Sequence, residues 1–328
     1  MSAHQTTSPP TGRITLVLLA IVAAALGYPW HTVRERWVLG VAVAVVIVLL
    51  TRWKGLPITT ILRRRLAILR PNRGVRRADE SVTDVRTTAL LRVTPPLGDA
   101  DTLPLALIAG YAERYGLRAD AIRVTSRDST SELGTRERET WIGVTLSAAD
   151  NLAALQARSA QIPLHETAEV AARRLADHLR ESGWSAAIAN PDDVPSPFPR
   201  NARESWAGVS QGSTNHVAAY GVKVDTALPN TLAAIWSYPV PEVWTAAEIS
   251  GAGPDQTLAV ACAFRTDAAP AAGGPLPGLI SKSGVQRAAL TALDPLTSER
   301  LDGHVALPEA LLLERLRWAS TALPQPVA

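Results

Sequence analysis

The sequence predicts an α+β protein in which an N-terminal two-helix transmembrane hairpin precedes a mixed α+β cytoplasmic domain. Three observations carry this prediction. Residues 14–30 and 37–50 are apolar, contain no charged side chain and are separated by only six residues. An arginine-rich block follows them at once. From Ser81 onward, strand-like alternation and helix-like spacing of apolar residues succeed one another.

The predicted hairpin occupies residues 13–53 and follows a flexible polar tail over residues 1–12. A helix needs about 20 apolar residues to cross a bilayer, with about 17 as the lower limit. The first predicted span, residues 14–30, meets that limit. The second span, residues 37–53, meets it only if the flanking arginines extend their side chains toward the lipid headgroups. Six residues cannot hold a domain, so the two helices must be antiparallel neighbours.

A cleaved signal peptide over residues 14–25 is the alternative interpretation of the first apolar stretch. Its charged leader would be weak, because Arg13 is the one cation there. A second apolar stretch with a basic stop also follows immediately. Both features favour the membrane hairpin.

Tryptophan and arginine side chains mark the predicted membrane–water interfaces, where indole rings are enriched. The predicted interface residues are Trp30, Arg34, Arg36, Trp37, Arg52, Trp53, Lys54, Arg63, Arg64, Arg65 and Arg70. Arginine and lysine dominate after the second span, with no acidic residue before Asp79. The excess of cations predicts a multi-pass membrane protein with both termini in the cytoplasm.

The net charge of +3 hides an uneven distribution. Residues 1–77 carry twelve Arg or Lys against one acidic residue, whereas the remainder carries 21 basic and 29 acidic residues, a net charge of −8. A basic segment beside a membrane favours anionic lipids as partners. A mildly acidic folded domain argues against nucleic acid as a partner. Cys262 is the single cysteine, which excludes an intrachain disulfide and a cysteine metal cluster.

Residues 54–78 are predicted to form a basic amphipathic juxtamembrane segment. Within it, apolar residues follow helical spacing over residues 58–69, interrupted by three consecutive arginines. One interpretation is an interfacial helix lying on the inner leaflet, which we favour. The other is a stalk that packs against partner helices. Proline and glycine close together end the helix near residues 70–74.

Residues 79–328 are predicted to form the cytoplasmic α+β domain, with a possible sub-boundary at the proline-rich residues 190–200. The first half is predicted as strand 82–93, helix 103–115, strands 121–125 and 140–146, a helical region 148–159, helix 166–182 and strand 184–189. Apart from residues 148–159, this is the β-α-β-β-α-β order of a ferredoxin-like domain. The second half is strand-rich, with strands 216–224, 231–237, 243–249 and 258–265 and helices 285–293 and 308–319.

Two motifs could carry chemistry. Gly208-Val-Ser210-Gln-Gly212 matches the G-x-S-x-G nucleophile elbow, which needs a buried strand before the serine and a helix after it. Polar residues precede it here and a strand-like pattern follows, which favours an ordinary loop. Asp99 and Asp101 form a D-x-D pattern that could hold a divalent metal, but their position favours capping of the next helix. Metal-ligand spacing is absent at His165, His178, His216 and His304.

The layout of the whole chain resembles the EccE family, a membrane component of the type VII (ESX) secretion machinery of mycobacteria. The resemblance rests on the polar leader with its prolines, the tight hairpin, the arginine-rich exit RWKGLPITTILRRRLAILRPNRGVRR and a domain without an enzyme motif. It covers essentially the full length and includes no short diagnostic motif. The chain length suits the shorter members and favours the third ESX system, which is linked to iron acquisition.

The resemblance implies a non-catalytic structural or assembly subunit of a hetero-oligomeric inner-membrane complex, without a cofactor. It implies EccB, the ATPase EccC, EccD and the mycosin protease as protein partners, beside membrane lipids. The alternative function is a membrane-anchored cytoplasmic enzyme, a glycosyltransferase or a hydrolase that uses Asp99 and Asp101 or Ser210.

Overall fold

The computed structural model describes most of the chain beyond residue 85 and single positions before it. The described residues are 85–96, 102–131, 134–159, 162–198, 202–271, 273–307, 313 and 316–322, with Val22, Trp37, Gly40, Val41, Val43, Arg52, Trp53, Leu56, Pro57, Ile61, Arg64, Arg65 and Ile68. The chain divides into two compact units, Met1–Asn72 and Arg73–Ala328.

The first unit contains helical positions and one small β-hairpin. Strand β1 (Arg52–Trp53) pairs in antiparallel register with strand β2 (Leu56–Pro57). The prediction placed Arg52 and Trp53 at the end of the second helix, whereas they lie in a strand. Gly55 and Pro57 disfavour a helix that continues through this segment. Among the residues described in this unit and the next, no helix is long and apolar enough to cross a membrane.

Four positions of the predicted juxtamembrane helix have helical backbone: Ile61, Arg64, Arg65 and Ile68. Ile61 and Ile68 are half-buried and Arg65 is exposed, a distribution that suits an amphipathic helix. The flexible tail, the first span except Val22 and most of the second span lie outside the described residues, so the hairpin stays a prediction.

The second unit is built on a twelve-stranded sheet. Its strands and a separate two-stranded pair are β3 (Arg86–Thr94), β4 (Thr102–Leu103), β5 (Glu113–Arg114), β6 (Leu117–Thr130), β7 (Arg136–Ser147), β8 (Ser185–Ile188), β9 (Arg203–Glu204), β10 (Val209–Ser210), β11 (His216–Val222), β12 (Glu242–Ser250), β13 (Thr257–Thr266), β14 (Leu279–Ser281), β15 (Val305–Ala306) and β16 (Trp318–Ala319). The main path runs β8-β3-β7-β6-β12-β13-β11-β10-β9, and β5, β14 and β15 add to it at β6, β11 and β13. Strand β16 pairs with β4.

Five α-helices accompany these strands in the described part of the chain. They are α1 (Leu105–Ala109), α2 (Leu152–Gln156), α3 (Leu164–Glu181), α4 (Leu228–Trp236) and α5 (Gln286–Leu293). Numbered along the chain, the four main strands of the first half lie in the order 4-1-3-2, as β8, β3, β7 and β6, and all pairs are antiparallel. Helix α1 lies in the first crossover and α3 in the second. The described part is therefore a mixed α/β structure in which strands predominate.

The sheet continues past the proline-rich segment, because β6 of the first half pairs with β12 of the second over eight residue pairs, from Glu242↔Ser129 to Ile249↔Ile122. Residues 73–328 form one compact unit. Every residue of β12 is buried, as expected for a central strand covered on both faces.

Alternation along the strands separates two hydrophobic clusters, one on each face. Ile122 and Val124 of β6 belong to the first cluster, together with the apolar face of α3. Trp141 and Trp244 belong to the second cluster, together with Leu290 of α5. Arg123 lies between Ile122 and Val124 and therefore points to the second face. Glu242 and Glu248 lie at even spacing from Trp244 and share its face.

Three predicted elements differ from the structure. Residues 231–237 were expected as a strand, but α4 spans Leu228–Trp236. Leu228, Leu232, Ile235 and Trp236 are its buried residues, at helical spacing. A single helix was also expected over residues 103–115. The structure instead has the short helix α1, then a 3-10 turn (Gly110–Ala112) and then strand β5.

The helix predicted over residues 308–319 is wrong at its end. Trp318 and Ala319 form β16, because Trp318 pairs with Leu103 and inserts its indole into the core. Most of the remaining residues of that predicted helix lie outside the described residues.

Candidate functional site

The predicted membrane-interface residues lie in the first unit, and the structure describes five of them. Trp37 is helical and exposed. Arg52 and Trp53 form β1, and Arg64 and Arg65 have helical backbone. Trp30, Arg34, Arg36, Lys54, Arg63 and Arg70 lie outside the described residues. Their role at a membrane surface remains a prediction.

In the second unit, charged side chains concentrate on one face of the central strands. Register places Arg123 of β6 opposite Glu248 of β12. Arg123 Nε donates to Glu248 Oε2 over 2.9 Å, and Arg123 Nη2 donates to the same oxygen. The Glu248 side chain is fully buried and that of Arg123 is 6% exposed. A buried ion pair of this kind needs further hydrogen bonds to offset the loss of hydration.

Those further contacts come from the segment after α5. His304 Nε2 lies 2.9 Å from Glu248 Oε1, and His304 Nδ1 lies 3.0 Å from Thr257 Oγ1. The backbone N–H of Leu301 donates to the Glu248 carboxylate over 3.3 Å, and Arg300 Nε lies 3.4 Å from it. Glu248 therefore ties the chain segment of residues 300–304 to the middle of the sheet. We call these side chains the Glu248 cluster.

A second group of charges lies further along the same face and forms the Glu242 cluster. Arg265 Nε and Arg127 Nε donate to the two oxygens of Glu242 over 2.8 and 3.2 Å. Arg127 also donates to Glu139 over 3.2 Å. The indole N–H of Trp244 donates to Glu242.

Two stacked indole rings fill the space between the clusters. Trp141 and Trp244 are buried and nearly parallel, with ring centroids 6.0 Å apart and planes 15° apart. The guanidinium of Arg127 lies 5.8 Å from the Trp244 ring centroid. Stacked aromatic rings and a cation over a ring each add stabilisation beyond buried area.

The surroundings of the Glu248 and Glu242 carboxylates favour their ionised form. Burial alone would raise the pKa of Glu248, but the hydrogen bond with His304 and the charge of Arg123 outweigh burial and lower the pKa below its ordinary value. Burial likewise acts to raise the pKa of Glu242, and Arg265 and Arg127 together lower it. Because a general base works best with a pKa near the operating pH, these carboxylates are poorly suited to proton transfer.

A cleft of about 600 Å³ opens beside the Glu242 cluster. Its lining includes Arg127, Glu139 and Arg265 from the sheet and Asp192, Asp193 and Phe198 from the loop before β9. The loop is fastened by Ser196, whose hydroxyl donates to Asp294 over 2.7 Å, and by Arg287, which lies 4.5 Å from the Phe198 ring centroid. The cleft is a mixed-charge surface whose arginines are already paired, which suits a polar contact with another protein.

Of the sequence-based catalytic candidates, the structure describes Ser210. Ser210 ends β10, which lies between β9 and β11, so the G-x-S-x-G motif joins strands instead of a strand and a helix. His304 is held by Glu248 and Thr257. Within the described ranges, no group of three His, Cys, Asp or Glu residues could hold a metal ion. Asp99 and Asp101 lie outside those ranges.

Sequence reasoning missed both clusters. The predicted strands 121–125 and 140–146 leave out Arg127 and Glu139, which lie within the longer strands β6 and β7 and pair across them. The available signal was the alternation of charged and apolar residues. At strand spacing, Arg123 and Arg127 share one face of β6, and Glu242 and Glu248 share one face of β12.

Comparisons with known proteins identify relatives over nearly the full length. The sequence model of the family described as "Putative type VII ESX secretion system translocon, EccE" matches residues 135–222, which run from β7 to the end of β11. The chain is 52% identical over 313 residues to the ESX-3 secretion system protein EccE3 of Mycobacterium tuberculosis (strain CDC 1551 / Oshkosh), covering 94% of this chain and 92% of the relative.

Two further relatives agree. The ESX-3 secretion system protein EccE3 of Mycobacterium tuberculosis (strain ATCC 25618 / H37Rv) is also 52% identical, with the same coverage. The ESX-3 secretion system protein EccE3 of Mycolicibacterium smegmatis (strain ATCC 700084 / mc(2)155) is 48% identical over 300 residues, covering 91% of this chain and 92% of the relative.

Proposed function

This chain belongs to the EccE family of ESX-3 secretion proteins, and we propose that it is a non-catalytic structural and assembly subunit of an inner-membrane type VII (ESX) secretion complex. The observation that carries this proposal is the 52% identity to EccE3 over 94% of the chain. Family membership indicates that the chain is a component of an ESX secretion system. The non-catalytic structural role is the part that we propose.

The chemistry of the second unit supports a structural role. The buried carboxylates Glu248 and Glu242 are each bound by arginine and have lowered pKa values. Asp128 is also bound by an arginine, because its two oxygens each accept a hydrogen bond of 2.6 Å from Arg138. Buried charges of this kind brace neighbouring strands and connecting segments. With lowered pKa values, Glu248 and Glu242 are not prepared for proton transfer near neutral pH.

The charge distribution supports a membrane anchor at the N-terminal end. Two charge-free apolar stretches, residues 14–30 and 37–50, precede a segment with nine cations and no anion before Asp79. We propose that these stretches cross the inner membrane with both termini in the cytoplasm, and that Arg63, Arg64 and Arg65 lie at the inner surface. Each surface cation adds about 1 kcal/mol of attraction to anionic lipid.

A subunit of such a complex needs protein partners, and we propose EccB, EccC, EccD and the mycosin protease, as the family resemblance implies. The ATPase activity would belong to EccC. The contribution of this chain is then to hold other subunits in place through surfaces of the Arg73–Ala328 unit.

Genetic complementation tests the non-catalytic role. In a strain that lacks this chain, the wild type should restore secretion of ESX-3 substrates. Ser210→Ala and Asp101→Ala should restore it equally, because neither side chain would perform chemistry. Loss of secretion in either variant while the complex still assembles would contradict the proposal and favour an enzyme.

A further inference from the structure

A strained turn presents an exposed tyrosine at the start of the long strand β6. Strands β5 and β6 form a tight hairpin, with Glu113 opposite Arg118 and Arg114 opposite Leu117. The two turn residues, Tyr115 and Gly116, have φ angles of 56° and 70°. Hairpin turns with two positive φ angles favour Asn-Gly or Gly-Gly. Among the described residues, Tyr115 is the one non-glycine with a positive φ.

The turn places an aromatic ring at the surface, because Tyr115 is 52% exposed. The guanidinium of Arg174 in α3 lies 4.5 Å from its ring centroid, and that of Arg114 lies 5.3 Å from it. These three residues, Arg114, Tyr115 and Arg174, are named the Tyr115 patch.

Contacts of Tyr111 lie beneath the Tyr115 patch. Buried Tyr111 meets the Tyr115 ring edge-on, with centroids 6.3 Å apart. The Tyr111 hydroxyl donates to the backbone carbonyl of Arg174 over 2.9 Å and lies 3.3 Å from His178 Nδ1. Arg114 also lies 4.8 Å from the Tyr111 ring centroid. The hairpin and α3 are therefore locked together beneath the exposed ring.

The two arginines of the patch differ from their neighbours in charge pairing. Arg173 lies 2.6 Å from Glu169, Arg180 lies 2.7 Å from Asp177, and Arg118 lies 3.8 Å from Glu113. Within the part of the chain that the structure describes, no carboxylate oxygen lies within 4.0 Å of the guanidinium of Arg114 or Arg174. Among the described residues these two cations have no carboxylate partner, and residues 78–328 carry a net charge of −8.

We propose that the Tyr115 patch docks an acidic segment of another subunit of the secretion complex. Tyrosine and arginine are enriched among the residues that dominate the energetics of protein interfaces, and a guanidinium can bind a carboxylate through two hydrogen bonds. A strained residue at an exposed position is a further indication of function. This inference rests on the proposed function, because the partner is a subunit of the complex.

The surroundings favour a protein segment over a membrane surface. Glu113, Asp177 and Glu181 are exposed carboxylates on the same hairpin and helix, with side chains 58–74% exposed. They would oppose the approach of a flat anionic bilayer. A narrow acidic segment can reach the two arginines and the ring while it avoids these carboxylates.

The test compares adjacent arginines of one helix in the full-length chain, co-expressed with the other ESX membrane subunits. Arg174→Ala and Tyr115→Asn should each lower the recovery of co-purified subunits by about tenfold or more, the effect of losing an interface hot spot. Arg173→Ala is the matched control and should retain recovery. Tyr115→Asn should also raise the melting temperature, because asparagine tolerates positive φ.

The outcomes separate this inference from the proposed function. If the wild type does not co-purify with the subunits, both are overturned. If the wild type co-purifies and Arg174→Ala does so equally, only the docking proposal is overturned.

A photo-crosslinking amino acid in place of Tyr115 should capture an acidic peptide of another subunit. Crosslinks to lipid, or to a second copy of this chain, would contradict the assigned partner. Loss of binding to anionic phosphatidylglycerol vesicles by Arg174→Ala, with subunit recovery unchanged, would assign the patch to the membrane instead.

Discussion

At Glu248, a charge that burial alone would neutralise is kept ionised by its neighbours. The carboxylate accepts hydrogen bonds from Arg123 and from the backbone of Leu301, and His304 lies within hydrogen-bond distance. The free energy of this arrangement depends on the pair being complete. Removing one member of a buried ion pair costs about 3–5 kcal/mol, because the other charge is left in the interior.

This gives a pH prediction. The folded-state pKa values of Glu248 and Glu242 are lowered, so their contribution to stability is present above the unfolded value of about 4.3 and is lost as pH falls through the folded pKa values. We expect the melting temperature of the full-length chain to fall steeply below about pH 4.3.

Glu248→Gln should lower stability near pH 7 by about 3 kcal/mol and make the loss in acid less steep. Tryptophan fluorescence melts of the detergent-solubilised protein between pH 7 and pH 3 measure both effects. An unchanged acid profile in Glu248→Gln would contradict the role given to this carboxylate.

The turn between β12 and β13 gives a second residue-scale prediction, with a built-in control. Gly251 and Gly253 both have positive φ, 76° and 56°. A Cβ on Gly251 would overlap the backbone carbonyl oxygen of Asp255, whereas a Cβ on Gly253 would meet no atom within 4 Å.

Gly253→Ala should therefore cost about 1 kcal/mol from backbone strain alone. Gly251→Ala should cost about 3 kcal/mol or more, because the clash adds to that strain. Urea unfolding of the two variants measures the difference. Equal destabilisation would show that the turn relaxes around the added methyl group.

At the scale of elements, the C-terminal strand β16 is part of the core. Trp318 is fully buried, its indole N–H donates to Ser126 Oγ over 2.9 Å, and it meets Trp236 of α4 edge-on at 5.4 Å between centroids. Arg138 donates to the backbone carbonyl of Ala319 over 2.7 Å. This short strand therefore packs its tryptophan into the first hydrophobic cluster of the second unit.

We expect Trp318→Ala to destabilise the protein by about 3–5 kcal/mol, the cost of emptying a buried aromatic site. Trp318→Phe should cost less, about 1–2 kcal/mol, because it keeps a ring and loses the hydrogen bond to Ser126. Thermal melts of both variants measure this order. A near-neutral Trp318→Ala would contradict the placement of β16 in the core.

Some elements could be predicted because local pattern and packing agree. Helix α3 (Leu164–Glu181) lies within two residues of its predicted bounds, since Ala168, Ala172, Leu175 and Leu179 are buried at helical spacing. Strand β13 differs from its prediction by one residue at each end. In both elements the periodicity is long enough to decide the type.

Other elements could not be predicted, because short apolar runs suit both a helix and a strand. The run TLAAIWS has the branched and aromatic residues of a strand, yet it continues the helix that begins at Leu228. Trp318 and Ala319 follow a sequence with helix-like charges, and pairing with residues 102–103 overrides that local preference.

At the scale of the whole molecule, the charged clusters depend on contacts between distant residues. Arg123 and Glu248 are 125 positions apart and meet only because β6 pairs with β12 in one register. A shift of one strand by one residue would turn its charged side chain to the opposite face, away from its partner. Alternation in each strand indicates a charged face, but it does not say which strands are neighbours. The candidate site was therefore beyond sequence reasoning.

Membership of the family, by contrast, could be predicted from the sequence. The apolar stretches, the arginine-rich exit and the absence of an enzyme motif led to the EccE family, and the full-length relatives confirm it. No single residue carries that identification. It rests on how charge and hydropathy are arranged along the chain.

Purification from native membranes tests the central claim most directly. The full-length chain, tagged at its C terminus, is extracted in a mild detergent, and the eluate is analysed by quantitative mass spectrometry. A structural subunit should bring with it an ATPase and multispanning ESX subunits at fixed ratios. Recovery of this chain alone, under conditions that keep other membrane complexes intact, would contradict the claim.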